Sequence, residues 1–158
     1  MQRNPVTPEG YERLQADLDH HKSVLRPQNV RDIEEARAHG DISENAEYEA
    51  AKERQAMINA RIAQLSHLVS TAEVVDVNTL PRDGRVVFGV TVLLENDEGT
   101  ERTWRIVGES ETDVSAGKIS YLAPLARACI GKSEGDEVIV PAPGGSQTWE
   151  IVEVRYEG

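Results

Sequence analysis

The sequence predicts an α+β fold in two parts. An N-terminal antiparallel α-helical coiled-coil hairpin spans residues 1–76, and a small antiparallel β-sheet domain with one short helix spans residues 77–158. Three observations predict it. Apolar residues step by three and four through two long stretches, and a glycine-containing segment without lysine or arginine separates those stretches. Beyond Asp76 the pattern changes to alternating, β-branched runs.

Thr7-Pro8-Glu9 opens the first helix, with Thr7 as N-cap and Pro8 at the first helical position, where its missing N–H costs nothing. Tyr11, Leu14, Leu18, His21 and Leu25 then form a seam in one heptad register. The seam resumes at Val30 and Ile33, out of step by one residue, with Pro27 at the slip. A bend without a break is expected there, because proline removes a backbone donor and disfavours helical geometry at Arg26. The second helix is regular, its seam running through Tyr48, Ala51, Gln55, Ile58, Ile62, Leu65 and Val69. Only a short connection joins the two, so they must pack antiparallel. The chain from Pro8 to Ala38 makes a rod of about 45 Å at the helical rise. Ala46, Ala50, Ala51, Ala56, Ala60 and Ala63 are expected to let the helices approach closely.

In the second half, strands are expected over 85–94, 100–107, 118–122, 137–140 and 148–155. Asn96-Asp97-Glu98-Gly99 reads as the hairpin loop joining the first two. Pro124 to Ile130 is the helix, opened by proline and stopped by Gly131. Pro141 to Gly145 reads as a turn; its glycine pair is followed by no helix and no Gly-Lys-Ser/Thr, so it is not a phosphate loop.

Composition narrows the function classes. The formal charge of −11 is divided almost evenly between the halves, so neither is a free-standing nucleic-acid clamp, which requires a net basic face. A single cysteine, Cys129, rules out an internal disulfide and offers no metal-site spacing; its Ala and Ile neighbours point to a buried thiol. No apolar run approaches the roughly 18 residues of a membrane span, and no signal peptide is seen, so a soluble cytoplasmic protein is expected. His20 and His21 diverge on a helix and have no third ligand nearby. His39 reads as a polar loop residue. No Ser/His/Asp or Cys/His nucleophile motif is present.

The segment between the helices carries the chemistry. Between Ala38 and Ala51 lie Asp41, Glu44, Glu47 and Glu49, with no basic residue before Lys52 on the second helix. Asp41 and Glu44 fit a capping box, Asp41 as N-cap and Glu44 at N3. Four acids exceed what a cap requires, since their mutual repulsion offsets the favourable field of a helix N-terminus. A divalent cation is the natural counterion, and magnesium takes one or two carboxylates together with water and phosphate oxygens. Two carboxylates on a thin hairpin hold such an ion only when a partner completes the site.

The run Ala36-Arg37-Ala38-His39-Gly40-Asp41-Ile42-Ser43-Glu44-Asn45-Ala46-Glu47-Tyr48 resembles the tip motif of the Gre transcript-cleavage factors of bacterial RNA polymerase, the GreA branch in particular. The likeness extends through Arg26-Pro27, Gly84 to Gly89, Arg105 to Gly108, Gly117 to Ser120, Pro124 to Ala128, Gly131-Lys132, Gly135-Asp136 and Pro143-Gly144-Gly145. It implies an FKBP-like C-terminal domain that docks on the polymerase rim around Pro124. The hairpin would enter the secondary channel, where Asp41 and Glu44 help hold the second catalytic Mg2+ and its water while the polymerase hydrolyses backtracked RNA. Gly40, Ser43, Asn45 and Tyr48 would support the tip, and Arg37, Lys52 and Arg54 would steer extruded RNA. On this resemblance the chain is a monomeric cofactor protein and not an enzyme; it meets nascent RNA and DNA only within the elongation complex, and no membrane. The family usually carries Glu where this chain has Ala38, His where it has Glu49, and Ser where it has Ala123.

Two other readings are weighed. An inhibitor occupying the same channel would be expected to carry additional acids in the tip turn, where this chain has Ile42 and Ser43. A prolyl isomerase needs an aromatic-lined pocket, for which the strands offer only Phe88, Trp104, Tyr121 and Trp149.

Overall fold

The computed structural model describes residues 3–39 and 45–157. The chain forms two compact units, Glu12–Thr71 and Met1–Tyr11 with Ala72–Gly158.

The first unit is an antiparallel helical hairpin. α1 (Pro8–His20) leads into a π-helical turn (His21–Leu25) and then α2 (Arg26–Ala38), with right-handed helical backbone at both junctions. α3 (Ala46–Thr71) returns alongside. Three contacts show the antiparallel sense, Asp17 meeting Arg61, Asn29 meeting Ala51 and Arg37 meeting Tyr48. The helix is unbroken at Pro27, as expected, but the π-turn takes up the seam's slip before the proline is reached. The Arg26 N–H donates to the carbonyl of His21, five residues back, which inserts one extra residue into the helix. The widened turn also relieves the crowding of the pyrrolidine ring against the carbonyl four residues earlier.

The seam beyond the π-turn differs from expectation. Val30 is 44% exposed, whereas Asn29 is 4% exposed and takes its place. Its Nδ2 donates to the Ala51 carbonyl at 2.9 Å, so an amide fills an interhelical position that hydropathy assigns to valine. The buried seam continues through Ile33 and Ala36 of α2, and on α3 Ala51, Ile62 and Leu65 are buried. Of the α3 alanines expected at the interface, Ala51 alone is buried; Ala46, Ala50, Ala56, Ala60 and Ala63 face solvent.

In the second unit, β1 (Asn4–Val6) pairs in parallel with β2 (Ala72–Val74). Glu111 anchors this segment, its carboxylate accepting from the Thr7 N–H at 3.1 Å, the Thr7 hydroxyl and the Gly108 N–H at 2.9 Å. Thr7 caps α1 as expected, its Oγ1 accepting from the Gly10 N–H at 3.1 Å. Any side chain at position 10 would place Cβ 2.2 Å from the Glu111 carboxyl carbon.

The main sheet has the order β5-β4-β3-β7-β6. Its strands are β3 (Thr91–Asn96), β4 (Glu101–Val107), β5 (Lys118–Ser120), β6 (Glu137–Val140) and β7 (Gln147–Arg155). β4 and β5 pair in parallel and the remaining neighbours antiparallel, so the sheet is mixed. Asn96 organises the expected hairpin turn, its Oδ1 accepting from the Glu98 and Thr100 N–H groups. α4 (Pro124–Cys129) is the one α-helix after the hairpin among the described residues.

Residues 85–90, expected in the first strand, lie outside it. Gly89 reverses the chain at φ +93°, and a Cβ there would sit 2.6 Å from Val77 Cγ1. Val86 and Val90 are fully buried, and Val86 exchanges backbone bonds with Gly131 and Lys132 just after α4. A β-branched run packs against a core from an irregular segment as well as from a strand.

The core gathers Val86, Val92, Leu94, Ile106, Ile151 and their neighbours. Trp104 and Trp149 are partly buried against it, and Phe88 meets Tyr121 edge to face with centroids 5.8 Å apart. These aromatics serve packing. A pocket of about 510 Å³ on this unit is lined by charged groups such as Arg82, Asp83 and Glu134, with Tyr156 its one aromatic. Cys129 is fully buried, and burial pushes its thiol pKa up to about 11.

Candidate functional site

The segment between α2 and α3 is held from both sides by described residues. α2 ends at Ala38, and the His39 N–H closes it on the Ala36 carbonyl at 3.3 Å. α3 begins at Ala46 with Asn45 as its N-cap, Oδ1 accepting from the Tyr48 N–H at 3.1 Å. The same side chain donates through Nδ2 to the Ala36 carbonyl at 2.6 Å. One amide thus caps the start of α3 and gives the Ala36 carbonyl of α2 a second donor, joining the two helix ends. The cap of α3 is therefore Asn45, and the capping box of Asp41 with Glu44 lies outside the described residues. Asparagine is among the strongest N-cap residues.

Gly40, Asp41, Ser43 and Glu44 lie outside the described residues. Of the other tip-support residues, Asn45 is placed as above, and the Tyr48 ring lies under the Arg37 guanidinium, 5.8 Å from centroid to Cζ. That contact crosses the hairpin and desolvates neither group fully, a geometry worth about 0.5–1 kcal/mol.

The three basic residues do not form one cluster. Lys52 stands one turn beyond Tyr48 and so shares its side of α3 with the Arg37 contact; its Nζ donates to Gln55 at 2.8 Å. Arg54, two residues on, projects away from it and lines a groove of about 260 Å³ with Asp32, Glu35 and Glu47. Glu47 and Glu49 are exposed in the first turn of α3, where negative charge is favourable.

Among the described residues no group of three or more His, Cys, Asp or Glu could hold a metal ion. Asn45 has both side-chain ends committed to backbone and offers no ligand. An ion at this end of the hairpin would fall to Asp41 and Glu44, hard oxygen donors of the kind magnesium takes, with its remaining ligands supplied from outside the chain.

In the other unit, Pro124 is exposed in the first turn of α4, and the expected stop at Gly131 follows. Leu122 and Ile130 flank it with 47% and 38% exposure. No helix among the described residues is long and apolar enough to cross a membrane.

The chain is similar to known proteins along its whole length. Residues 4–74 match the family described as transcription elongation factor, N-terminal, and residues 81–156 match the one described as transcription elongation factor, GreA/GreB, C-term. The chain is 55% identical over 157 residues to transcription elongation factor GreA of Anaeromyxobacter sp. strain K, covering 99% of this chain and 94% of that one. It is 51% identical to the GreA of Neisseria meningitidis serogroup A, covering 99% of each. Among solved structures, the GreA factor homolog 1 protein of Thermus thermophilus is 26% identical with a TM-score of 0.44, over 98% of this chain and 99% of that one. The GreA/GreB factor of Nitrosomonas europaea is 25% identical with the same score, over 99% and 100%. Matched in both halves and half-identical to these relatives along its length, the chain belongs to the GreA/GreB family of transcription elongation factors.

Proposed function

We propose that this chain binds bacterial RNA polymerase through the secondary channel and stimulates the polymerase's own cleavage of backtracked nascent RNA. The chemistry is the polymerase's; the hairpin brings Asp41 and Glu44 to help hold the second Mg2+. When bound, that ion lowers the pKa of its water and stabilises charge on the scissile phosphate. The chain's own part is to present two carboxylates at a fixed place, and no other group in it needs to titrate. Pro124 and its exposed apolar neighbours serve rim docking, and Arg37 with Lys52 offers positive charge to RNA phosphates on one side of the hairpin.

One observation carries this reading beyond family membership. Because Asn45 caps α3 and braces α2, α3 needs no cap from Asp41 or Glu44, and a purely structural account of the two acids loses its main support. The test is the double substitution Asp41→Asn with Glu44→Gln. The variant is expected to melt as the wild type does and to bind polymerase, yet to lose stimulation of cleavage by roughly 10²-fold or more, the scale seen when transition-state electrostatic ligands are removed. Undiminished cleavage would sink the proposal. Stable binding with inhibition and no cleavage by the wild-type chain would favour the channel inhibitor.

A further inference from the structure

The π-turn leaves a mark on the hairpin surface. Beside it lies a groove of about 670 Å³, lined by the first and last residues of the turn, His21 and Leu25, and by α3 from Arg54 to Gln64. Where the seam steps out of register, Leu25 and Ile58 are only half buried, and Met57 beside them is 72% exposed. π-turns interrupt otherwise regular helices most often where a helix is used for something besides packing. An exposed methionine in an apolar depression has the plasticity of a recognition surface.

The lining of this groove carries charge of one sign, although carboxylates stand just outside it, Asp17 beside Arg61 and Asp32, Glu35 and Glu47 on the other side of Arg54. Arg54 and Arg61 line it and no carboxylate does, on a chain of formal charge −11. Asp17, outside the lining, holds Arg61 at 3.0 Å and lies 3.1 Å from His21 Nδ1. Arg54 makes no ion pair among the described residues. We infer that this groove is a docking site for an apolar side chain flanked by carboxylates, presented by a protein segment of the polymerase that the hairpin passes. A protein side chain fits better than nucleic acid, because the lining is aliphatic and holds no aromatic ring on which a base could stack. A second copy of this chain fits poorly, since two acidic hairpins repel one another.

The inference rests on the proposed polymerase-binding role, and its test separates the two. Equilibrium binding to RNA polymerase core enzyme is measured for the full-length wild type, Met57→Glu, Arg54→Glu and Val24→Glu. Val24 is 50% exposed on the same π-turn but does not line the groove, so it is a control with the same charge change as Met57→Glu. Met57→Glu and Arg54→Glu should each weaken binding about tenfold, the lower bound of a significant interface contact, while Val24→Glu stays within about twofold. Met57→Glu binding within twofold of wild type overturns the groove but leaves the proposed function standing. Loss in Arg54→Glu alone assigns the effect to that one guanidinium and not to the apolar groove, and overturns it too. Sedimentation showing that the wild type self-associates and Met57→Glu does not assigns the groove to a second copy, again overturning it. A wild type that does not bind polymerase overturns both readings.

Discussion

At the scale of single residues, two side chains do more than their polarity suggests. Asn45 satisfies one end of each helix, so Asn45→Ala leaves the Ala36 carbonyl and the Tyr48 N–H without these partners. The expected cost is about 1–2 kcal/mol in urea unfolding, a lost cap and a lost bond across the hairpin together, since the Ala36 carbonyl keeps the His39 N–H. Asn45→Asp keeps the acceptor for Tyr48 and loses the donor for Ala36, so it should fall between wild type and alanine. Equal loss in the two would mean that the bond to Ala36 contributes nothing. Cys129 gives a pH test. Its folded pKa is raised by burial from 9.0 to about 11, so above pH 9 the unfolded chain releases a proton that the folded chain retains. Stability should be complete below pH 9 and decline as pH rises from 9 to 11. Tyr156 is raised by burial and by its hydrogen bond to Asp83, and acts in the same direction. A Cys129→Ser variant whose stability falls just as steeply across that window would place the effect elsewhere.

At the scale of elements, the π-turn makes the first helical strand of the hairpin one residue longer than its heptads need. Removing one residue between Leu25 and Asn29 joins the seam Tyr11, Leu14, Leu18, His21, Leu25 to Asn29, Ile33 and Ala36 in unbroken steps of three and four. Deleting Arg26 together with Pro27→Ala, which removes the ring that a regular α-turn would crowd, should therefore be tolerated, with a melting temperature within about 5 °C of wild type. Deleting the exposed Ala56 from the regular α3 should instead rotate half of its seam out of the interface and unfold the hairpin. Equal damage from both deletions would mean that the π-turn holds no spare residue. Sequence made the slip visible, because a heptad seam tolerates no silent insertion. It did not make the π-turn visible, because Pro27 supplied a sufficient cause for a local disturbance. Nor did it reveal Asn29, since a buried amide is recognised only by the carbonyl it reaches.

At the scale of the whole molecule, the hairpin, the sheet strands from β4 onward and α4 were legible because each is long enough to show a period or is bracketed by proline and glycine. The pairing of β1 with β2 was not. Three residues carry no alternation, and the partners lie 68 positions apart, Asn4 against Ala72. The proposed site reads in the sequence as two acids in excess of need, and which residue caps α3 was decided by hydrogen bonds that spacing alone does not distinguish. These scales meet in how the metal should behave. Two carboxylates leave most of magnesium's octahedral shell to outside ligands, so isothermal titration of the isolated chain should show no Mg2+ binding tighter than about millimolar. With polymerase present, Glu44→Gln should raise the Mg2+ concentration for half-maximal cleavage several-fold, and excess Mg2+ should restore part of the rate. Met57→Glu should raise the concentration of the chain that is needed and leave the Mg2+ requirement where it was, because it weakens docking and touches no ligand. If Glu44→Gln shifts only the protein requirement, its carboxylate acts as a contact to polymerase and not to the ion.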